Sequence, residues 1–278
     1  MDYTSIEQHG ADIILTDIKN FIPSQILDCG QCFRWSKSGK AEHYTGIAHG
    51  RRLDLFLEEG SQALILKNVS RGEFDILWRD YFDLNRDYGE LKQRYFSDDV
   101  LKRAVAFSPG LRIMRQDIWE VVLTFILSQN SNIPRIKGMV AGLCENFGQS
   151  LPCGGFTFPG PEDLAHLSAA DLAPVKSGYR AEYIIDAAKR AADGRLNFSK
   201  LKKMASEDVR QALMEVHGIG PKVADCILLY GFGRIECYPL DVWMKRVMAE
   251  YYPNGFPSEL KDTAGIAQQF LFHYARSG

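Results

Sequence analysis

The run Leu213-Met-Glu-Val-His-Gly-Ile-Gly-Pro-Lys-Val-Ala-Asp-Cys226 restricts this chain more than any other stretch. Leu213 and Val216 end one apolar-periodic helix, and Val223, Ala224, Ile227 and Leu228 open another. Between them Gly218 and Gly220 permit a tight reversal with exposed backbone N–H groups. The pattern predicts a helix-hairpin-helix at about 209–231. Its small glycines let a sugar-phosphate backbone approach, and the N–H groups and positive helix end behind them favour a phosphate oxygen. Glycines also serve ordinary helix–helix turns, so Lys222 tips the balance. At the buried start of a helix, lost hydration and the helix dipole both favour its neutral form, and a neutral amine is a nucleophile.

Nineteen residues on, Asp241 follows Pro239-Leu240 and precedes the helical pattern Val242-Trp-Met-Lys-Arg-Val-Met. An Asp there is an N-cap by default. Beside an amine and a phosphate-binding turn it gains a second use, as negative charge facing positive charge that develops on a sugar. The combination suits chemistry at an anomeric carbon.

The rest of the chain predicts an α+β protein. Asp12–Leu15, Phe33–Trp35, Tyr44–Ala48, Arg52–Leu57 and Ala63–Leu66 have strand character, punctuated by Gly30, Gly39, Gly50 and Gly60. They imply an N-terminal antiparallel sheet domain over residues 1–82, with the C-terminal helix packed nearby. From Asp83 the texture turns helical, and 83–278 is expected to form two helical subdomains around a ligand cleft. Ile118–Leu127 is apolar enough to be their core helix. Further helices are expected within 87–107, at 161–164, 170–174, 179–192 and 201–216, and in a last helix through Phe272.

Composition narrows function less. With 33 Lys plus Arg against 35 Asp plus Glu, the net charge of −2 does not announce a nucleic-acid partner. Residues 101–140, however, carry Lys102, Arg103, Arg112, Arg115, Arg135 and Lys137 against Asp117 and Glu120, enough for a local basic face. The six cysteines are dispersed, and Cys29-Gly-Gln-Cys32 lacks the second ligand pair of a zinc site or a thioredoxin-like setting. No cysteine quartet near the C-terminus suggests an iron–sulfur cluster. Without a basic leader, or an apolar run of the roughly 18 residues a membrane helix needs, the expected location is cytoplasmic.

Several separated pieces together resemble the helix-hairpin-helix glycosylases, specifically the 8-oxoguanine DNA glycosylase/lyases of the eukaryotic type, also found in bacteria. They are Gly30-Gln-Cys-Phe-Arg-Trp35, Ser128-Gln-Asn-Ser-Asn-Ile-Pro-Arg135, Gly178-Tyr-Arg180, Val216–Cys226, Pro239-Leu-Asp241, and Ala267-Gln268 with Phe272. The resemblance covers nearly the whole chain. It implies a monomeric enzyme acting on double-stranded DNA that contains an oxidised purine, with Lys222 as nucleophile and Asp241 as its electrostatic partner. Asn130 would fill the space left by the extruded nucleotide, Tyr179 would wedge beside it, and Arg135 and Arg180 would read the orphaned cytosine. The Gly30 carbonyl would accept from the N7–H that distinguishes 8-oxoguanine from guanine. Gln268 would bond the base edge, with Phe272 and Cys226 on opposite ring faces, and Gly218 and Gly220 would meet the DNA backbone. Neither cofactor nor catalytic metal is implied, although the hairpin carbonyls suit a structural monovalent cation.

The residues taken alone permit plainer roles: a polar helix cap at Ser128–Asn132, a turn at Gly30, core packing at Cys226, and packing or a surface contact at Gln268 and Phe272. Two positions depart from the family pattern. Trp243 stands where many members have His, and His273-Tyr-Ala follows Phe272 where they have an acid nearby. These departures bear on phosphate handling and cytosine preference. A glycosylase/lyase for another oxidised or ring-opened purine is an alternative enzyme reading. A noncatalytic helix-hairpin-helix DNA-binding protein is an alternative of another class.

Overall fold

The computed structural model describes residues 1–39, 42–58 and 60–277. Six strands, β1 (Ser5–His9), β2 (Asp12–Thr16), β3 (Trp35–Lys37), β4 (Glu42–Ala48), β5 (Arg51–Leu57) and β6 (Leu64–Lys67), form one sheet ordered β1-β2-β6-β5-β4-β3. Every neighbouring pair is antiparallel. Alternation fixes which face is inside: Ile13 and Leu15, Leu53 and Leu55, and Leu64 and Leu66 are buried while their neighbours are more open. The short helix α1 (Pro23–Leu27) follows β2.

Several expectations need correction. Strand β1 was not among the expected runs, because Ser-Ile-Glu-Gln-His carries no apolar alternation; it is an edge strand held in register by β2. The expected strand at Phe33 begins only at Trp35, since Phe33 packs into the helical core instead. Helical structure also sets in before Asp83. Residues 71–81 are helical, with a π segment at Phe74–Trp78, and Ser70 caps them by accepting from the Glu73 N–H. This run lays Phe74 and Trp78 on the sheet, and the Trp35 indole donates to the Tyr81 hydroxyl at 2.8 Å.

The longer helices of the helical part are α2 (Tyr88–Tyr95), α3 (Asp99–Phe107), α4 (Ile118–Ser128), α5 (Ile133–Phe147), α6 (Arg180–Ala192), α7 (Ser206–Met214), α8 (Pro221–Tyr230), α9 (Val242–Tyr251) and α10 (Ala264–Ser277), with short helices at Pro161–Ala165, as expected, and Phe198–Leu201. As expected, α4 is its centre: every residue from Val121 to Leu127 is buried, and Asp117 caps it. The helix expected at 170–174 is reduced to a single 3-10 turn at Ala173–Val175.

Buried polar groups join the two cores. Arg112 is fully buried, paired with Asp2 at 2.7 Å and donating to the carbonyls of Phe82, Asn20, Asp83 and Arg86. The last helix returns to the N-terminal segment, where Gln269 Nε2 donates to the Cys29 carbonyl at 3.5 Å. Among the described residues no helix is long and apolar enough to cross a membrane.

Candidate active site

Helix α7 stops at Met214, and bonds from Val216 N–H to the Leu213 carbonyl (3.1 Å) and from Ile219 N–H to the Val216 carbonyl (3.0 Å) tighten the reversal before α8 begins at Pro221. The two glycines of this turn do different things. Gly218 has φ +86, and a Cβ there would lie 2.2 Å from Tyr183 Cδ2. The Tyr183 ring is held edge-on against His217 at 4.6 Å and Tyr179 at 5.6 Å, so packing alone demands a glycine. Gly220 caps α8 in extended backbone, with nothing within 4 Å of its missing Cβ. It is the open point of the hairpin.

That open point borders a cavity of about 730 Å³. Gly220 and Lys222 from the hairpin, Leu240 to Trp243 at the start of α9, Gln129 to Asn132 from the turn after α4, and Gly30, Phe272 and Arg276 line it. The Lys222 amine lies 5.4 Å from the centroid of Phe125, whose other contacts include a stacked Tyr230 ring at 5.2 Å. Asp241 accepts from the Met244 N–H at 2.8 Å, so it is the N-cap of α9 and also faces the cavity. An amine and a carboxylate thus share one opening. Burial pushes the Cys226 thiol up, with the neighbouring Lys222 opposing, and Cys226 sits behind the cavity wall, one turn beyond the amine.

Gly30 is presented by a polar network that the sequence does not advertise. Gln31, with no exposure, donates to the carbonyls of Ile26 and Arg112 and accepts from the Met114 N–H, while its own carbonyl accepts from Gln116. Gly30 itself has φ +91, and a Cβ would come within 3.3 Å of Ile133. Phe272 lines the same cavity. Gln268, one turn earlier on α10, is only 3% exposed and lies deeper, and its Oε1 has no hydrogen-bond partner. A buried amide oxygen left unpaired is costly unless a ligand satisfies it.

The polar turn after α4 is braced from α6. Asn130 takes a left-handed conformation, φ +47, and its Nδ2 donates to the Tyr179 hydroxyl at 3.2 Å. Arg180 is buried: Nε donates to the Gln129 carbonyl at 3.0 Å, Nη1 to the Ser177 carbonyl at 3.1 Å and Nη2 to the Asn130 carbonyl at 3.3 Å. In this arrangement its donors hold the turn and do not face outward. Arg135 stands exposed on the first turn of α5, where Asn132 is the cap. The expected basic face over 101–140 loses three of its six cations, because Arg112 is buried, Arg115 pairs with Asp80 and Asp83, and Lys137 bonds Asp28 and the Trp35 carbonyl, while Lys102, Arg103 and Arg135 are exposed.

The structure therefore gathers Lys222, Asp241, Gly30, Asn130, Phe272 and Gly220 around the cavity. Tyr179, Arg180 and Gly218 support its edges, and Cys226 and Gln268 lie behind its wall. Trp243 also lines it, and the Arg246 guanidinium stacks 5.3 Å over the Trp243 ring. His273 is turned away, with Nδ1 2.8 Å from Ser108 Oγ, and burial with nearby Arg276 lowers its pKa. Phe125, Lys245 and Arg276 also line the cavity, beyond the residues that the motifs mark. Arg276 had a signal, since it follows Phe272 and Gln268 at successive four-residue steps on one helix face.

The family model of the 8-oxoguanine DNA glycosylase N-terminal domain matches residues 13–122, and that of the HhH-GPD superfamily base excision DNA repair proteins matches residues 123–263. The N-glycosylase/DNA lyase of Saccharomyces cerevisiae is 32% identical over 82% of this chain and 68% of its own length. Among solved structures, MBOgg1 in complex with a low-affinity DNA ligand is 39% identical with a TM-score of 0.92, covering 100% of this chain and 99% of that one. The Clostridium acetobutylicum 8-oxoguanine glycosylase/lyase, in complex with double-stranded DNA containing cytosine opposite 8-oxoguanine, is 34% identical with a TM-score of 0.92 and the same coverage. The chain belongs to the 8-oxoguanine DNA glycosylase/lyases of the HhH-GPD superfamily of base excision DNA repair proteins.

Proposed function

We propose that this enzyme, as a monomer, removes 8-oxoguanine from duplex DNA, preferably opposite cytosine, and then cleaves the strand through a covalent Lys222 intermediate. The observation that carries this reading is the shared cavity, in which the Lys222 amine and the Asp241 carboxylate open onto one space with Gly30 and Phe272. A duplex must release the target nucleotide into such a pocket, at a cost of a few kcal/mol that binding has to recover. Gly220 offers the hairpin backbone to a phosphate. Asn130, supported by Tyr179, takes the place of the departed base. Arg135 reads the orphaned cytosine, and Arg180 joins it by exchanging its carbonyl partners for the base.

Chemistry follows from the residues. The Gly30 carbonyl accepts the N7–H of the lesion, a bond that guanine, with an acceptor at N7, cannot make. Gln268 supplies its unpaired amide oxygen to the base edge. Lys222 attacks C1′ as the glycosidic bond breaks, and Asp241 faces the oxocarbenium-like sugar. The amine-linked sugar opens to a Schiff base, whose acidified C2′ proton is lost as the 3′ phosphate leaves. A monovalent cation on the neutral hairpin carbonyls would add positive charge near the phosphate, and no step passes through it.

The test is a set of duplexes with one 8-oxoguanine opposite each of the four bases. Excision and strand cleavage fastest opposite cytosine are expected. Removal of a different damaged purine with 8-oxoguanine untouched would replace the substrate assignment, and binding without any product would support a noncatalytic role.

A further inference from the structure

We propose that Arg276 is a specificity-determining residue of the damaged-base pocket, donating to the C8 carbonyl oxygen of the oxidised purine. The inference rests on the reading of Gly30 given above and extends it. Along the edge of 8-oxoguanine the N7–H donor is followed immediately by the C8 oxygen, an acceptor. A pocket that meets only the first leaves the second without a donor. Arg276 Nη1 lies 3.7 Å from the position a Gly30 Cβ would occupy, beside the residue whose carbonyl takes N7–H. Its guanidinium centre is 5.9 Å from the Phe272 ring centroid, so the same side chain borders the face on which the base stacks. Asp241 is the one carboxylate among the described residues lining the cavity, and it caps α9.

This position matters to the reaction as well as to recognition. As the Lys222 nitrogen bonds C1′, the C1′–N9 bond breaks and its electron pair leaves on the purine, where resonance carries charge onto the C8 oxygen. A guanidinium beside that oxygen stabilises the departing base more than the bound one. The proton released from the former lysine amine then neutralises the base. Guanine offers Arg276 a C–H instead of an oxygen and gains nothing.

The experiment compares Arg276→Met, which keeps much of the side-chain volume, and Arg276→Lys with the parent in single-turnover excision of 8-oxoguanine opposite cytosine. One charge-assisted hydrogen bond corresponds to roughly a 10- to 100-fold loss in the Met variant. Lysine, which retains the charge, recovers part of it. In a Lys222→Gln background, Arg276→Met should reduce the preference for the 8-oxoguanine duplex over the undamaged one, and cleavage at a preformed abasic site should fall far less than excision. Excision at the parent rate in Arg276→Met overturns the proposal. So does an equal weakening of damaged, undamaged and abasic duplexes, which would make Arg276 a backbone contact. A parent protein that leaves 8-oxoguanine untouched overturns the substrate assignment, and this inference with it.

Discussion

Replacing the two hairpin glycines separately, Gly218→Ala and Gly220→Ala, should divide folding from DNA binding. At Gly218 an alanine would have to hold φ +86, a left-handed conformation costing about 1–2 kcal/mol for an L residue. Its methyl would also sit 2.2 Å from Tyr183, whose ring is pinned by His217 and Tyr179. Forced repacking of that kind adds about 1–3 kcal/mol, for a total of about 2–5 kcal/mol. At Gly220 the backbone is ordinary extended chain and the methyl meets nothing, so stability should stay within about 0.5 kcal/mol of the parent. That methyl does project where a phosphate would approach, and duplex affinity should fall at least about tenfold, or 1.4 kcal/mol. Urea unfolding and duplex binding at fixed salt measure the two effects. A parent-like midpoint for Gly218→Ala would refute the packing argument, and parent-like affinity for Gly220→Ala would refute the phosphate approach.

Other residues make equally separable predictions. Arg112→Met should destabilise the protein by about 3–5 kcal/mol, because it leaves buried Asp2 without its countercharge; an unfolding midpoint near the parent's would show that the pair contributes little. The Glu120 carboxyl is raised to about 7, chiefly by burial, with Arg34 opposing. A carboxyl raised in the folded state contributes stability that is full below the ordinary carboxylate range and lost as pH rises through about 7. Stability of the parent relative to Glu120→Gln should therefore decline over that window, and a pH-independent difference would contradict it. Arg135→Ala should reduce discrimination for cytosine over adenine by about 1–3 kcal/mol. Arg180→Ala should free the Asn130 turn and slow excision opposite every base, with the largest fall opposite cytosine, where a base contact is lost as well; equal slowing in all four duplexes would leave Arg180 a brace only.

What could be read in advance depended on whether a residue's role is local. Strands β2, β4, β5 and β6 announce themselves by alternation, and Asp241 sits where an N-cap must. Gly218 and Gly220 mark the hairpin, yet their spacing cannot say that one is required by Tyr183 and the other faces open space. Arg180 looks the same in sequence whether it reads a base or braces a turn, since its carbonyl partners at Gln129 and Asn130 come from another helix end. Arg112 and Lys137 read as surface charge in the sequence, although the first is buried and the second is paired. The same long-range placement makes Gln31 the support of Gly30, a role that only the fold reveals.

Covalent trapping tests the central claim most directly. With borohydride present during reaction on a duplex carrying 8-oxoguanine opposite cytosine, the parent should form a stable protein–DNA adduct, and peptide mapping should place the link on Lys222. Lys222→Gln should bind the duplex and form no adduct. An adduct of undiminished yield in that variant, mapped to another amine, would contradict the mechanism.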